Sequence, residues 1–100
     1  MTAPKPLALT EEQVLSIAKA LADPRRYEIL KRLGDNHHQA LDCGSVRDCV
    51  DISAATLSHH MKELEMAGLV KAERHGKFVS YLLRRDVLEA FFQRLKSDLA

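Results

Sequence analysis

Hydrophobic positions recur at helical spacing through the first third of the chain. Thr10 and Gln13 have the spacing of a capping box, which predicts that a helix begins after Thr10. The Asp23-Pro24 pair ends this helix and begins a second one that runs to about Leu33, since Asp is a favourable N-cap and Pro suits the first helical position. The apolar residues that define the first helix are Val14, Ile17, Ala18, Leu21 and Ala22.

Two further helical segments follow a stretch that has no period. Residues 35–43 contain turn formers and two histidines, and we expect a loop there. Val46, Cys49 and Val50 lie at i, i+3 and i+4, which predicts a short third helix that ends near residues 51–53. Ser53 is then a suitable N-cap for a fourth helix that lasts until Gly68. Two helices joined by a turn of about three residues predict a helix-turn-helix.

After Gly68 the pattern changes from helical to alternating. Residues 69–74 and 78–83 flank His75-Gly76-Lys77, which predicts a β-hairpin with glycine in its turn. Asp86 and Glu89 resemble a capping arrangement for a fifth helix. The order helix, helix, helix, helix, strand, strand, helix predicts a mainly α fold with a small β-hairpin wing, a winged helix-turn-helix of the α+β class. The apolar stripe of the fifth helix contains Leu88, Phe91, Phe92, Leu95 and Leu99.

Composition and charge narrow the possible functions. A chain of 100 residues suits one domain, expected at 10–100 after a flexible N-terminal tip at 1–9. Aromatic residues make up 5% and Trp is absent, so the core should be aliphatic. The net charge is +1, so nucleic-acid binding would need a local basic patch. No apolar run is long enough for a signal peptide or a membrane span, which predicts a cytoplasmic protein without a membrane partner.

The fourth predicted helix has two faces that separate its adjacent histidines. Leu57, His60, Met61, Leu64 and Ala67 share one face, whereas Ala55, Ser58, His59 and Lys62 share another. His60 is therefore expected at the border of the core with one nitrogen hydrogen-bonded, and His59 should point away. Small side chains near the helix start permit close approach to the DNA major groove, and Lys62 suits a phosphate. The alternative is an ordinary amphipathic helix with a solvated face.

Two segments, ALADPRRYEILKRL and ISAATLSHHMKELEMAGLVKAERHGKFVSYLL, resemble the ArsR/SmtB (arsenic-repressor) family of bacterial winged helix-turn-helix regulators. The resemblance covers roughly residues 12–98. Members of this family are homodimers paired through their first and last helices, and they repress transcription until an inducer weakens DNA binding. The resemblance implies a homodimeric repressor that binds an inverted-repeat operator in double-stranded DNA. It is carried by the spacing Ser53-x-x-Thr56-x-Ser58-x-His60 and by the later Leu64 and Ala67-Gly68-Leu69-Val70.

The resemblance and the helical pattern together assign candidate residues to three surfaces. The base-facing set is Ser53, Ala54, Ala55, Thr56, Ser58 and His59. The set expected to approach phosphates or the minor groove is Lys62, Arg74, His75 and Lys77. The expected dimer interface contains Val14, Ile17, Leu21, Leu88, Phe91, Phe92 and Leu95. The alternative for the last helix is that it folds back onto the core of its own chain.

The effector is not indicated by the sequence. In the best-known metal site of the family, the ligands are a Cys-x-Cys pair, and these positions are Asp42 and Gly44 here. A second family site needs a His where this chain has Leu88, and a further His after His75, and neither is present. No metal site and no cofactor are therefore expected. The cysteines Cys43 and Cys49 either pack as ordinary small residues or act as a thiol, redox or arsenite sensor. The adjacent His37 and His38 are interpreted as solvated loop residues.

Other classes of protein fit less well. The chain has no phosphate loop, no HExxH and no nucleophile elbow, and Ser58 and His59 diverge by about 100° on a helix, so no enzyme is expected. A winged-helix module that binds only proteins remains an alternative. The small-residue helix face and the basic hairpin favour DNA binding over that alternative.

Overall fold

The computed structural model describes residues 7–35 and 39–100, apart from the side chain of Cys49. The mainly α winged helix-turn-helix predicted from the sequence is confirmed, with one strand added. The predicted loop residues His37 and His38, and residues 1–6 of the predicted tip, lie outside the described residues. The elements are α1 (Glu11–Leu21), α2 (Pro24–Gly34), β1 (Leu41–Asp42), α3 (Cys43–Val50), α4 (Ala54–Met66), β2 (Val70–His75), β3 (Phe78–Leu83) and α5 (Arg85–Leu99).

The first two helices begin where their capping residues predict. Thr10 Oγ1 accepts a hydrogen bond from the Gln13 amide at 3.1 Å, and Gln13 Oε1 accepts one from the Thr10 amide at 2.7 Å. This reciprocal pair satisfies amides that have no partner inside α1. Asp23 Oδ1 accepts a hydrogen bond from the Arg25 amide at 2.8 Å and so caps the start of α2. The predicted capping box and the predicted Asp23 N-cap are both confirmed.

The expected loop at 35–43 ends in a strand, so that prediction is wrong at its C-terminal end. Leu41 and Asp42 form β1, which pairs antiparallel with β3 and makes the sheet order β1-β3-β2. A strand of this length is too short for period-two alternation to show in the sequence. Asp42 also accepts a hydrogen bond from the Ser45 amide at 2.7 Å, so α3 begins at Cys43, which was expected in the loop.

The predicted cap of the last helix is also wrong. α5 begins at Arg85, and no side chain caps it. Asp86 instead pairs with the guanidinium of Arg84, which donates from Nε at 3.1 Å and from Nη2 at 2.8 Å. This pairing holds the pKa of the Asp86 carboxyl below its usual value and raises the pKa of Arg84. Because Arg84 holds the carboxylate, Asp86 and Glu89 do not act as a capping pair.

The predicted hairpin is confirmed and lies directly after α4. Gly68 has φ +82°, and the amide of Leu69 donates to the Leu64 carbonyl at 3.0 Å, the bond pattern of a Schellman motif. β2 and β3 then pair in register, with His75 opposite Phe78 across a two-residue turn. Gly76 opens that turn at φ +62°, as in a type II′ hairpin. We call β2, β3 and their turn the wing.

A single hydrophobic core lies where the helices meet the inner face of the sheet. Leu9 packs against this core, and its carbonyl accepts a hydrogen bond from Arg94 Nη1 at 2.6 Å, so this end of the predicted flexible tip is tied to α5. In the part of the chain described, no helix has the length and apolar character that crossing a membrane requires. The largest fully buried side chains are Ile17, Ile29, Leu33, Val46, Leu57, Met61, Leu64 and Leu69.

Candidate nucleic-acid interface

The turn between α3 and α4 fixes the start of the exposed helix. Asp51 lies in the left-handed region at φ +49°, and its amide donates to the Arg47 carbonyl at 3.0 Å. Ser53 Oγ accepts from the Thr56 amide at 3.1 Å and lies 2.9 Å from Thr56 Oγ1, to which it donates. The hydroxyl of Ser53 therefore acts within the cap, whereas the hydroxyl of Thr56 keeps its own proton for an outside acceptor.

The face of α4 that carries the candidate base-facing residues is open to solvent. Ala54, Ala55, Ser58 and His59 are exposed, and Thr56 is half-buried. A helix N-terminus with such short side chains can bring its backbone close to a flat or grooved partner. Its opposite face enters the core through Leu57, His60, Met61 and Leu64.

The two adjacent histidines have different environments, as predicted. The rings of His59 and His60 have centroids 5.8 Å apart and are tilted by 54°. His59 is exposed, whereas His60 is only 7% exposed and its Nδ1 lies 3.4 Å from Nη1 of Arg26. The partner Arg26 was not predicted, because its sequence distance from His60 gives no periodic signal.

A groove between α4 and the wing brings three of the predicted contact residues together. Ser58 and Lys62 of α4 and Arg74 of β2 line one cavity of about 220 Å³. Glu65 also lines this groove, and its Oε1 lies 3.9 Å from Nη2 of Arg74. An exposed ion pair at this distance contributes little stability, so Arg74 can exchange the carboxylate for a phosphate at small cost. Sequence analysis missed Glu65.

The tip of the wing carries the other two predicted cations. His75 Nε2 lies 4.0 Å from Glu73 Oε2, and both His75 and Lys77 are exposed. Phe78 follows at the tip with 69% exposure, and sequence analysis did not identify it as a surface residue. Lys77 lies beside the half-buried Cys43 in a cavity of about 550 Å³, away from the groove that holds Arg74.

The comparisons with known proteins place this chain among transcriptional regulators. The sequence model of a helix-turn-helix domain matches residues 21–73, from the end of α1 into β2. The transcriptional repressor SdpR of Bacillus subtilis (strain 168) is 33% identical over 76 residues, which are 74% of this chain and 79% of that protein. The chain belongs to the ArsR/SmtB family of winged helix-turn-helix transcriptional regulators.

Two further relatives agree with membership of the ArsR/SmtB family. The arsenical resistance operon repressor of Staphylococcus xylosus is 33% identical over 92 residues, covering 87% of this chain and 81% of that one. The homodimeric winged helix-turn-helix DNA-binding domain Mb0332 of Mycobacterium bovis, described as a possible ArsR-family regulator, is 28% identical. Its solution structure matches with a TM-score of 0.69 over 87% of this chain and 80% of that one.

In this ArsR/SmtB chain, the residues predicted to form a dimer interface are divided between core and surface. Ile17 and Phe91 are buried in the core of one chain and leave almost no surface for a partner. Phe92 is 51% exposed, and Leu15, which sequence analysis missed because it lies off the apolar stripe, is 62% exposed. Val14 is buried as well, whereas the half-buried members are Leu21, Leu88 and Leu95.

The N-cap of α4 offers a test of stability. We expect Ser53→Ala to lower the free energy of unfolding by about 1 kcal/mol, since the Thr56 amide loses its acceptor. Ser58→Ala is the matched control, because this serine is exposed within the same helix. Its effect should stay within about 0.5 kcal/mol. Urea unfolding followed by circular dichroism measures both, and equal effects would contradict the capping role of Ser53.

Proposed function

We propose that this ArsR/SmtB regulator is a homodimeric repressor that binds an inverted repeat in double-stranded DNA and is released by an effector. The N-terminal half of α4 enters the major groove, and the wing contacts the phosphates. The observation that carries this proposal is the exposed face of short side chains at the start of α4, beside a groove shared with Arg74. Short side chains bring the helix close to base edges, and the cation supplies charge at the groove margin.

Base recognition is assigned to the exposed side chains of α4. The methyls of Ala54 and Ala55 suit contact with thymine methyl groups, and the hydroxyl of Ser58 suits a base-edge donor or acceptor. His59 extends furthest from this face and can hydrogen-bond a base through its ring nitrogens. Thr56 can donate its free hydroxyl proton. Ser53 contributes by fixing the first turn of the helix through its cap rather than by a base contact.

Phosphate contacts are assigned to two separate groups of cations. Lys62 and Arg74 share the groove beside α4, so they suit the DNA backbone at the edge of the same major groove. His75 and Lys77 lie at the wing tip and suit the neighbouring backbone or minor groove. Because the chain carries a net charge of only +1, these local cations are the source of its attraction to DNA.

A homodimer follows from the exposed apolar residues of the first and last helices. Leu15 on α1 and Phe92 on α5 expose more than half of their surface, and Leu88 is half-buried on the same helix as Phe92. The Mycobacterium bovis domain of the same fold is homodimeric. A two-fold pair would present two α4 helices about one DNA turn, ~34 Å, apart, which matches the two halves of an inverted repeat.

We infer that the effector does not bind as a metal at the usual family sites. Asp42 and Gly44 occupy the positions of the family Cys-x-Cys pair, and the carboxylate of Asp42 is engaged as the N-cap of α3. Cys43 is half-buried, and the side chain of Cys49 lies outside the described residues, so thiol sensing stays a prediction.

His59→Ala and Lys77→Ala separate base recognition from phosphate binding. The probes are a duplex that the protein itself enriches from a random pool, called the selected duplex, and a random duplex of equal length. His59→Ala should cost about 1–3 kcal/mol on the selected duplex and much less on the random one. Lys77→Ala should weaken both and reduce the log-log salt slope by about 1. Fluorescence anisotropy at several salt concentrations measures these effects.

Two results would contradict the proposal. If the protein enriches no sequence from the pool, it does not recognise DNA by sequence. If His59→Ala weakens binding to both duplexes equally, His59 acts on the backbone and not on a base. A selected sequence without two-fold symmetry would contradict the inverted-repeat operator while leaving DNA recognition intact.

A further inference from the structure

One arginine side chain joins the end of α1, the start of α2 and the buried face of α4. Arg26 Nε donates to the Ala20 carbonyl at 2.8 Å, and Nη2 lies 3.5 Å from the Lys19 carbonyl. Its Nη1 lies 3.4 Å from Nδ1 of His60, which is 34 residues away in the sequence. The guanidinium therefore links the last turn of α1 to the middle of the helix that carries the base-facing residues.

The chemistry of this contact defines the protonation state of His60. A guanidinium donates hydrogen bonds and accepts none, so Nδ1 of His60 must be the acceptor and its ring proton must lie on Nε2. A second proton on Nδ1 would remove the acceptor and place an imidazolium against Arg26. The contact therefore exists only while His60 is neutral.

Burial and several neighbouring charged groups shift the pKa of His60. Burial lowers the pKa of His60 below its ordinary value of about 6.5. The carboxylate of Asp23, the N-cap of α2, opposes this by raising the pKa. Arg26, His59 and Arg25 lower it further. Among the described residues, α1 and β2 also pack on α4, but the charged groups that shift the pKa of His60 all come from α2, its N-cap and α4 itself. His60 is therefore neutral near pH 7, and its contact with Arg26 is intact.

We propose that Arg26 and His60 are positioning residues that hold α4 in its DNA-binding orientation relative to α1, and that mild acid releases α4 by breaking their contact. The inference rests on the proposed DNA-binding function where it concerns affinity. Apolar contacts such as those of Leu57 and Leu64 bury α4 but are not directional, whereas a hydrogen bond restricts rotation of the helix. The link also connects α4 to α1, one of the two helices proposed to form the dimer.

The sign of the pH effect follows from the protonation states. Because the pKa of His60 in the folded chain is lowered, its contribution to stability is full above about pH 6.5 and is lost as the pH falls through the folded-state pKa. Acid should therefore weaken both the contact and specific DNA binding. A comparison of wild type with a His60 variant isolates this effect from that of the other charged groups.

The first experiment needs no DNA and follows the imidazole and backbone signals of the full chain by NMR between pH 7.5 and 5.0. We expect neutral His60 to show an unprotonated Nδ1 and a titration midpoint below the ordinary histidine value of about 6.5. Amide signals at 19–22 and in α4 should shift with that midpoint, and Arg26→Met should raise it because a neighbouring cation is lost. A protonated Nδ1 in the neutral ring, or a midpoint that Arg26→Met does not change, would overturn the inference.

The second experiment measures affinity for the selected duplex at constant ionic strength. His60→Asn places an amide oxygen near the position of Nδ1 and does not titrate, so it should bind within about twofold of wild type at pH 7.5. Between pH 7.5 and 5.5 wild type should lose more affinity than His60→Asn, by a few-fold, because only wild type carries a group at this position that takes up a proton. Identical pH profiles for the two proteins, each shown to be folded by circular dichroism, would overturn the inference.

Two neighbouring arginines provide a matched pair of variants in the same assay. Arg26→Met should weaken binding roughly tenfold at pH 7.5, whereas Arg25→Met, which alters an exposed neighbour, should stay within about twofold. Equal effects of the two variants would overturn the positioning role of Arg26. If wild type binds no selected duplex at any pH, the proposed function fails, and the NMR titration still decides whether the contact responds to protonation.

Discussion

Replacement of Ala55 by glutamate is expected to weaken binding to the selected duplex by more than about 100-fold without loss of folding. Ala55 is exposed in the first turn of α4, where the proposed interface is closest to the bases. A carboxylate there would lose its hydration and face two rows of negatively charged phosphates. The free energy of unfolding should change by less than about 0.5 kcal/mol, because an acid near a helix N-terminus is favourable.

Ala55→Gln is the control that separates charge from size. Glutamine has nearly the same volume as glutamate and is neutral, so its loss of affinity should be clearly smaller than that of Ala55→Glu. Anisotropy titrations on the selected and random duplexes measure both variants, with thermal unfolding as the check on folding. If Ala55→Glu binds the selected duplex as wild type does, the start of α4 does not enter the groove and the proposed orientation is wrong.

Much of the fold follows from local rules that act over a few residues. The Thr10 capping box, the Asp23 N-cap and the glycine turn at Gly76 each satisfy backbone groups within their own segment, so their positions are visible in the sequence. The separation of His59 from His60 follows in the same way from helical geometry, since adjacent residues on a helix diverge by about 100°.

Contacts between distant segments were not predictable from these rules. β1 has only two residues, and its pairing with β3 depends on Tyr81 and Ser80 far along the chain. The contact of Arg26 with His60 likewise depends on how α2 packs on α4. Such contacts depend on tertiary packing, which periodicity does not describe.

Periodicity also fails to separate burial in the core from burial in a dimer. Phe91 and Phe92 are neighbours with rings 6.4 Å apart and tilted by 45°. Both belong to the apolar stripe of α5, yet Phe91 enters the core of its own chain and Phe92 stays half exposed. The fold-back onto the core therefore holds for Phe91, whereas the dimer interface stays a prediction for Phe92. Phe92 is the residue that can test the second.

Phe92→Glu is expected to convert the dimer to monomers at micromolar concentration and to weaken binding to the selected duplex more than about 100-fold. In a two-fold interface each protomer carries the substitution. Dimer formation would then bury two carboxylates in place of the two Phe92 rings, and removing those charges from water is unfavourable. A monomer contacts one half of an inverted repeat and loses the contribution of the linked second half. Sedimentation equilibrium gives the oligomeric state, and anisotropy gives the affinity.

Phe78→Glu is the matched control for the change in oligomeric state, because it makes the same substitution at an exposed phenylalanine on the wing tip. It should leave the dimer intact, since the wing lies outside the proposed α1 and α5 interface. If Phe92→Glu stays dimeric, the interface lies elsewhere, and the ~34 Å spacing of two α4 helices loses its basis. If it becomes monomeric yet keeps full affinity for the selected duplex, one chain is sufficient to recognise the site and the inverted repeat is not required.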